Sequence, residues 1–176
     1  MKIKQIIIGI LTVAVLVLII MLISSLVPKQ DKPAITKETK TTTVKDNFLG
    51  EKGETVTADS GKILINESDI DDGNMHAFNY YSEKEDKSIY FFVLKAPDGT
   101  YRVAANACEV CFGAKKGFRQ AGDLIKCDNC GVTYSKNKVA KEKGGCNPGP
   151  IDSDASISNG QVVINLSDVG AVAYLF

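Results

Sequence analysis

The chain has 176 residues, with 21 basic and 21 acidic side chains and one histidine, so its formal net charge is zero. That length holds one ordinary domain and an appendage. The neutral balance speaks against a nucleic-acid binder, which is normally basic. The hydrophobic content of 44% conceals a partition, because residues 6–27 hold 18 apolar residues of 22 and no charge. Without that run and its short leader, the apolar share falls to about 38%, below the ~45–50% usual for globular domains.

Residues 6–27 are long enough to span a bilayer as a helix, since ~20 apolar residues at 1.5 Å each cover the hydrocarbon core. Only Gly9, Thr12, Ser24 and Ser25 interrupt the run, and a helix satisfies their backbone groups internally. A cleaved signal peptide is the alternative, given the basic Met1-Lys2-Ile3-Lys4 start. The run exceeds the usual ~7–15-residue signal core and no Ala-x-Ala site follows. An uncleaved single-pass anchor (1–27) is therefore expected. The short basic start places the tail in the cytoplasm and residues 28–176 outside the cell membrane. Lys29, Lys32, Lys37 and Lys40 on the other flank oppose that orientation by charge counting alone.

Residues 28–60 read as a flexible polar tether. Pro28 and Pro33 end the helix, and the threonines, lysines and acids that follow offer little to bury. From 61 onward strands dominate. Residues 62–66, 75–81, 88–95, 100–105 and 161–166 are rich in β-branched and aromatic side chains. Ala96-Pro97-Asp98-Gly99 joins two of them as a hairpin turn. Segments 61–70 and 160–169 echo each other at five of ten positions, each a strand followed by Ser-Asp, a helix or turn N-cap signal. The expectation is that equivalent strands open and close one sheet. The fold class is thus mainly β (α+β): a small antiparallel sheet domain (61–176) with a cysteine-knuckle metal site, preceded by one N-terminal transmembrane helix.

The five cysteines follow the pattern Cys108-x2-Cys111-x15-Cys127-x2-Cys130-x15-Cys146. Two C-x-x-C pairs at this separation are a metal-site pattern, because two such turns facing each other can form a tetrahedral sulfur cage for zinc or iron. Gly131 after the second pair permits a positive φ that turns backbone N–H groups toward sulfur. Gly144-Gly145-Cys146-Asn147-Pro148 is a bulk-free turn suited to presenting a fifth sulfur. Segment 108–146 carries eight basic and four acidic side chains, a surround that offsets bound thiolates if it is not simply solvated loop. Structural disulfides and a thioredoxin-type dithiol stay open as alternatives.

His76 and the acidic turn of Glu67, Asp69, Asp71 and Asp72 are read as a hydrogen-bonded structural histidine and a solvated turn around Gly73. Tyr80, Tyr81, Phe91 and Phe92 are read as core. No Ser-His-Asp set or phosphate loop is present, which favours an electron-transfer or metal-binding component over an enzyme.

Phe92-Val93-Leu94-Lys95, Asp98-Gly99, Arg102-Val103-Ala104, Ala107-Cys108-Glu109-Val110-Cys111, Lys116-Gly117-Phe118, Cys127-Asp128-Asn129-Cys130-Gly131 and Gly144-Gly145-Cys146-Asn147-Pro148 occur in this order. The series resembles the FtrD-like membrane iron–sulfur protein domain over roughly residues 61–170. The resemblance implies an iron or iron–sulfur centre at Cys108, Cys111, Cys127, Cys130 and Cys146. It also implies an electron-transfer or metal-handling role in an iron uptake system, beside a membrane permease or transporter. Many family members carry several spans before this domain, whereas one is expected here, so electrons would come from a partner or an extracytoplasmic donor. Zinc is the alternative metal, and a zinc-stabilised interaction module or a thiol–disulfide redox protein the alternative function. A fifth sulfur is superfluous for one zinc ion and makes more sense for a cluster, for ligand exchange or for metal hand-over.

Overall fold

The structure, a computed structural model, describes residues 47–176. The expected anchor and the first part of the expected tether lie outside the described residues. Among the described residues no helix is long and apolar enough to cross a membrane.

Strands are the main regular structure of the described chain. In order come β1 (Glu54–Thr55), β2 (Lys62–Asn66), β3 (His76–Ser82), β4 (Lys87–Lys95) and β5 (Tyr101–Ala105). Then follow β6 (Phe118–Ala121), β7 (Leu124–Cys127), β8 (Thr133–Ser135), β9 (Pro150–Ala155), β10 (Ile157–Ser158), β11 (Gln161–Asn165) and the short helix α1 (Leu166–Ala171). They form three sheets, ordered β1-β3-β4-β5-β9, β10-β11-β2 and β6-β7-β8. All pairs are antiparallel except β1 with β3, which is parallel. The mainly β expectation stands, but the single sheet is replaced by three.

β4 explains the layering. A strand at a sheet edge or with one wet face alternates, whereas Ile89 to Leu94 are all buried, the signature of a strand covered on both faces. Ile89, Phe91 and Val93 face one core with Phe78, Val103, Ile63, Ile65, Val162, Ile164 and Val169. Phe92 and Leu94 face a second core with Ala104, Phe118, Ile125, Cys108 and Cys127. The five-stranded sheet is thus the middle layer, with the β10-β11-β2 sheet and α1 on one side. The β6-β7-β8 sheet and the cysteines lie on the other. Phe91 and Phe92 are core as expected, and Tyr80 packs partly buried against the first cluster. Tyr81 instead turns its hydroxyl to Asp86.

The internal echo is a local two-fold. β2 and β11 pair antiparallel with Leu64 opposite Val163, and Lys62 opposite Asn165 mirrors Asn66 opposite Gln161. Ser60-Gly61 and Asn159-Gly160 both have positive φ, the two-residue hairpin turn that matches strand twist. The Glu67 N–H donates to the Gly160 carbonyl and the Leu166 N–H to the Gly61 carbonyl, each at 2.9 Å. Asn66 and Asn165 donate to Asp69 and Asp168 in the same way. The two copies therefore lie side by side in one small sheet. The Ser-Asp pairs do not cap. Asn66 and Asn165 occupy the cap positions, and Ser-Asp falls inside the first turn, where its carboxylate accepts from them.

Part of the expected tether is attached to the domain. Phe48 is buried and stacks on Tyr90 at 4.2 Å between ring centroids. The Leu49 N–H donates to the Lys115 carbonyl at 2.7 Å. Gly53, at φ +65, passes so close to β3 that a Cβ would stand 2.0 Å from the Ala77 carbonyl.

The 96–99 turn is the expected hairpin, with Gly99 at φ +84. Asp98 gives it a second use. Its carboxylate accepts from Thr100 Oγ1 at 2.6 Å, from the buried Arg102 at 2.6 Å and from Lys141 at 3.2 Å. The hairpin is thereby tied to the segment leading to Cys146. Thr100 first, with Lys141 and Arg102, holds the Asp98 carboxyl well below the usual carboxylate range. A depressed folded pKa contributes stability that is complete above the unfolded value of ~3.9 and lost as pH falls through the folded one. The contribution of Asp98, read as the gap in denaturant midpoint between wild type and Asp98→Asn, should therefore stay level from about pH 7 to 5 and shrink below about pH 4. Asp98→Asn should be less stable at neutral pH and show a shallower acid decline. An unchanged acid slope would contradict this account of Asp98.

Candidate metal centre

Each cysteine sits where the backbone changes direction. Cys108 and Cys111 follow the end of β5, with Cys111 at the entry of a 3-10 turn over Phe112–Ala114. Cys127 ends β7, and Cys130 follows in the tight turn before β8. Gly131 has the anticipated positive φ of +78. Cys146 follows Gly144 and Gly145, both at positive φ, and Asn147 Nδ2 closes that turn on the Gly144 carbonyl at 3.1 Å.

All five thiols are unbridged and they converge. Among the described residues the sulfurs form two groups of three, each mutually within 4.8 Å: Cys108, Cys111 and Cys146, and Cys111, Cys127 and Cys130. Cys111 belongs to both, and its sulfur lies 3.9 Å from that of Cys146. Pair facing pair was the geometric expectation. The structure instead sets Cys146 beside the first pair and brings Cys111 across to the second.

Backbone N–H groups point at sulfur, as a bound thiolate requires. The Cys111 N–H donates to Cys108 Sγ at 3.2 Å. The N–H groups of Cys130 and Asn129 serve Cys127, and that of Val132 serves Cys130. Burial pushes the Cys127 thiol up against its donors. The Val132 N–H brings Cys130 down to about 7. Hydrogen bonding to Cys130, then burial and Cys111, pushes Cys146 up to about 12. The thiols therefore do not ionise together. Loading a cation here must expel protons, so affinity rises with pH. Tyr134 lies beside the cluster, its phenol pushed up by burial and by the thiols of Cys146, Cys130, Cys108 and Cys127.

The basic surround is partly spent on internal ties. Arg119 pairs with Asp128 at 2.9 Å, Lys138 with Glu142 at 3.3 Å and Lys141 with Asp98 at 3.2 Å. Lys136 is buried and donates to the Gly73 carbonyl at 2.7 Å. Lys115 and Lys116 line a depression with Cys108, Cys111, Cys127 and Phe118. His76 is not drawn in. Its Nε2 pairs with Asp72 Oδ1 at 2.8 Å, the structural role expected, and the acidic turn around Gly73 stays away from sulfur.

Asn106 is the residue that sequence reasoning missed. It is fully buried. Its Oδ1 accepts the Phe118 N–H at 2.6 Å and its Nδ2 donates to the Glu51 carbonyl at 3.0 Å. It thus ties the approach to Cys108 to the start of β6, where Phe118 pairs with Cys127. Only its place two residues before the first cysteine could have signalled it.

A small, mainly β domain with a cysteine cluster able to chelate a metal is what fold and site define. The chain belongs to the FtrD-like family, described as membrane iron-sulfur containing protein FtrD-like, whose model matches residues 56–176. No curated protein and no solved structure matches the chain.

Proposed function

We propose that this chain is a membrane-anchored, extracytoplasmic protein whose cysteines hold iron or an iron–sulfur centre for electron transfer or metal handling in iron uptake. The observation that carries the reading is the convergence of five unbridged sulfurs from separate turns. Membership in a family of membrane iron–sulfur proteins supports it. Cys108, Cys111, Cys127, Cys130 and Cys146 are the ligand set from which the centre draws. When bound, an iron centre of this kind supplies one-electron chemistry, with its potential set by hydrogen bonds to sulfur and by exposure. The N–H donors around Cys108, Cys127 and Cys130 are this chain's means of setting it.

Residues 1–27 would anchor the chain, the tether would begin at 28, and the domain of 61–176 would hold the 47–60 stretch against itself. Val110, Phe112 and Val132 are 64%, 41% and 43% exposed beside the ligands. Such an apolar rim suits docking to a membrane permease or transporter partner. The zinc-stabilised module is the second reading. It is favoured by one fact: the β6-β7-β8 sheet shares its small core with Cys108 and Cys127.

Metal analysis and a visible spectrum of the anaerobically purified full chain test the proposal. Iron with a sulfur-to-iron chromophore that bleaches on reduction is expected. A colourless protein with stoichiometric zinc and no iron would refute the electron-transfer reading and leave the zinc module.

A further inference from the structure

We infer that the five sulfurs serve two metal positions joined through the Cys111 thiolate, one completed by Cys108 and Cys146, the other by Cys127 and Cys130. The inference deepens the metal-binding reading and rests on it. A tetrahedral ion with metal–sulfur bonds of ~2.3 Å sets its sulfurs about 3.8 Å apart. Cys111 and Cys146 stand 3.9 Å apart, and each group of three fits around one ion. A single four-sulfur site needs four sulfurs in mutual reach. Among the described residues the sulfurs instead meet as threes that share Cys111.

Sharing also accounts for the odd cysteine. With one ion, four thiolates leave a residual charge of about two and an unused thiol. With two divalent ions, five thiolates leave about one, and no sulfur is idle. The shared sulfur is on the right residue. Cys111 is held by its own N–H on Cys108 Sγ at 3.2 Å and faces both the Cys146 turn and the Cys127–Cys130 turn. Each position then has three cysteine sulfurs and one place open to an exogenous ligand. Structural sites are closed by four protein ligands, whereas open sites exchange. Two open positions suit a protein that receives and passes on metal.

The rival is a single ion held by Cys111, Cys127, Cys130 and Cys146, for which the 3.9 Å between Cys111 and Cys146 would serve equally. Cobalt(II) distinguishes the two. The reduced, detergent-solubilised full chain is titrated anaerobically, following sulfur-to-cobalt charge-transfer absorption and electron paramagnetic resonance intensity. The expected result is an endpoint at two cobalt ions per chain. The resonance should rise over the first equivalent and fall over the second, as a shared thiolate couples the two spins. Cys108→Ser and Cys130→Ser should each lower the endpoint to one and abolish the coupling.

An endpoint of one in the wild-type chain would overturn the two-ion arrangement while leaving the metal-binding reading intact, as would a Cys108→Ser variant titrating like wild type. Two ions without spin coupling would overturn the sharing of Cys111. No thiolate-bound cobalt at all would overturn the metal-binding reading itself. The wild-type titration decides the matter even if a variant fails to fold.

Discussion

Asn106→Leu is expected to weaken the fold and the metal centre together. The Phe118 N–H that Asn106 accepts at 2.6 Å belongs to a residue only 1% exposed. Leucine would leave that donor buried without a partner, at about 1–3 kcal/mol. The Glu51 carbonyl lies on an exposed residue, so water can replace the lost amide there. The loss should extend to the metal centre, because Phe118 pairs with Cys127 and the Asp128 N–H donates to the Gly117 carbonyl at 3.0 Å. Denaturant melts together with metal affinity are the measurement, and both should fall. Gly117→Ala reaches the same node from the other side. At φ +69 a Cβ would stand 2.6 Å from Asn106 Oδ1 and 2.9 Å from Phe48 Cζ. Alanine in the left-handed region should cost more than about 1 kcal/mol before the collision is added. Wild-type stability in both variants would show that Asn106 does not organise this junction.

Metal removal should have the other large effect, and a local one. An isolated small sheet is marginal in water. The β6-β7-β8 sheet buries little beyond Phe118, Ile125 and Cys127. Its contact with the rest passes through a core that contains the cysteines themselves. Structural metal binding in small thiolate sites is worth on the order of 10 kcal/mol at neutral pH, and that free energy is folding free energy for whatever the ligands hold together. With a chelator under reducing conditions, amides of β6 to β8 should lose hydrogen-exchange protection. Those of β3 to β5, covered by the first core, should keep theirs. Unchanged protection in β6 to β8 after the metal has left would mean the sheet sustains itself.

Local chemistry was legible in the sequence, and long-range placement was not. The unbroken apolar run of β4, the Pro-Asp-Gly turn and the five cysteines each carry their meaning within a few residues. The echo was readable too, since its two copies repeat the same Asn-x-Ser-Asp exit. Which residue caps was misjudged, because Asn66 and Asn165 precede the Ser-Asp signal and hold the cap positions themselves. Phe48-Leu49 is a local apolar signal in the polar stretch, but nothing near it names the surface on which it docks. A single aromatic in a polar stretch becomes core only because Tyr90 and Phe176 offer it a surface. The parallel β1–β3 pair covers two residues, too few for any period to appear. The division into three sheets follows from burial on both faces of β4, which shows that a strand is covered but not by what. The spacing of the cysteines pointed to a metal. The position of Cys146 depends on the 131–145 excursion and on its ties through Lys136, Asn137 and Lys141, none of which a spacing rule contains.

If the cysteine cluster binds metal, every ligand that the protein supplies is sulfur. X-ray absorption at the edge of the metal retained by the anaerobically purified full chain tests it most directly. The first shell should be dominated by sulfur at about 2.3 Å and should be lost when the cysteines are replaced by serine. A shell of nitrogen and oxygen, or a protein that retains no metal while its thiols are reduced and intact, would contradict the proposed metal centre.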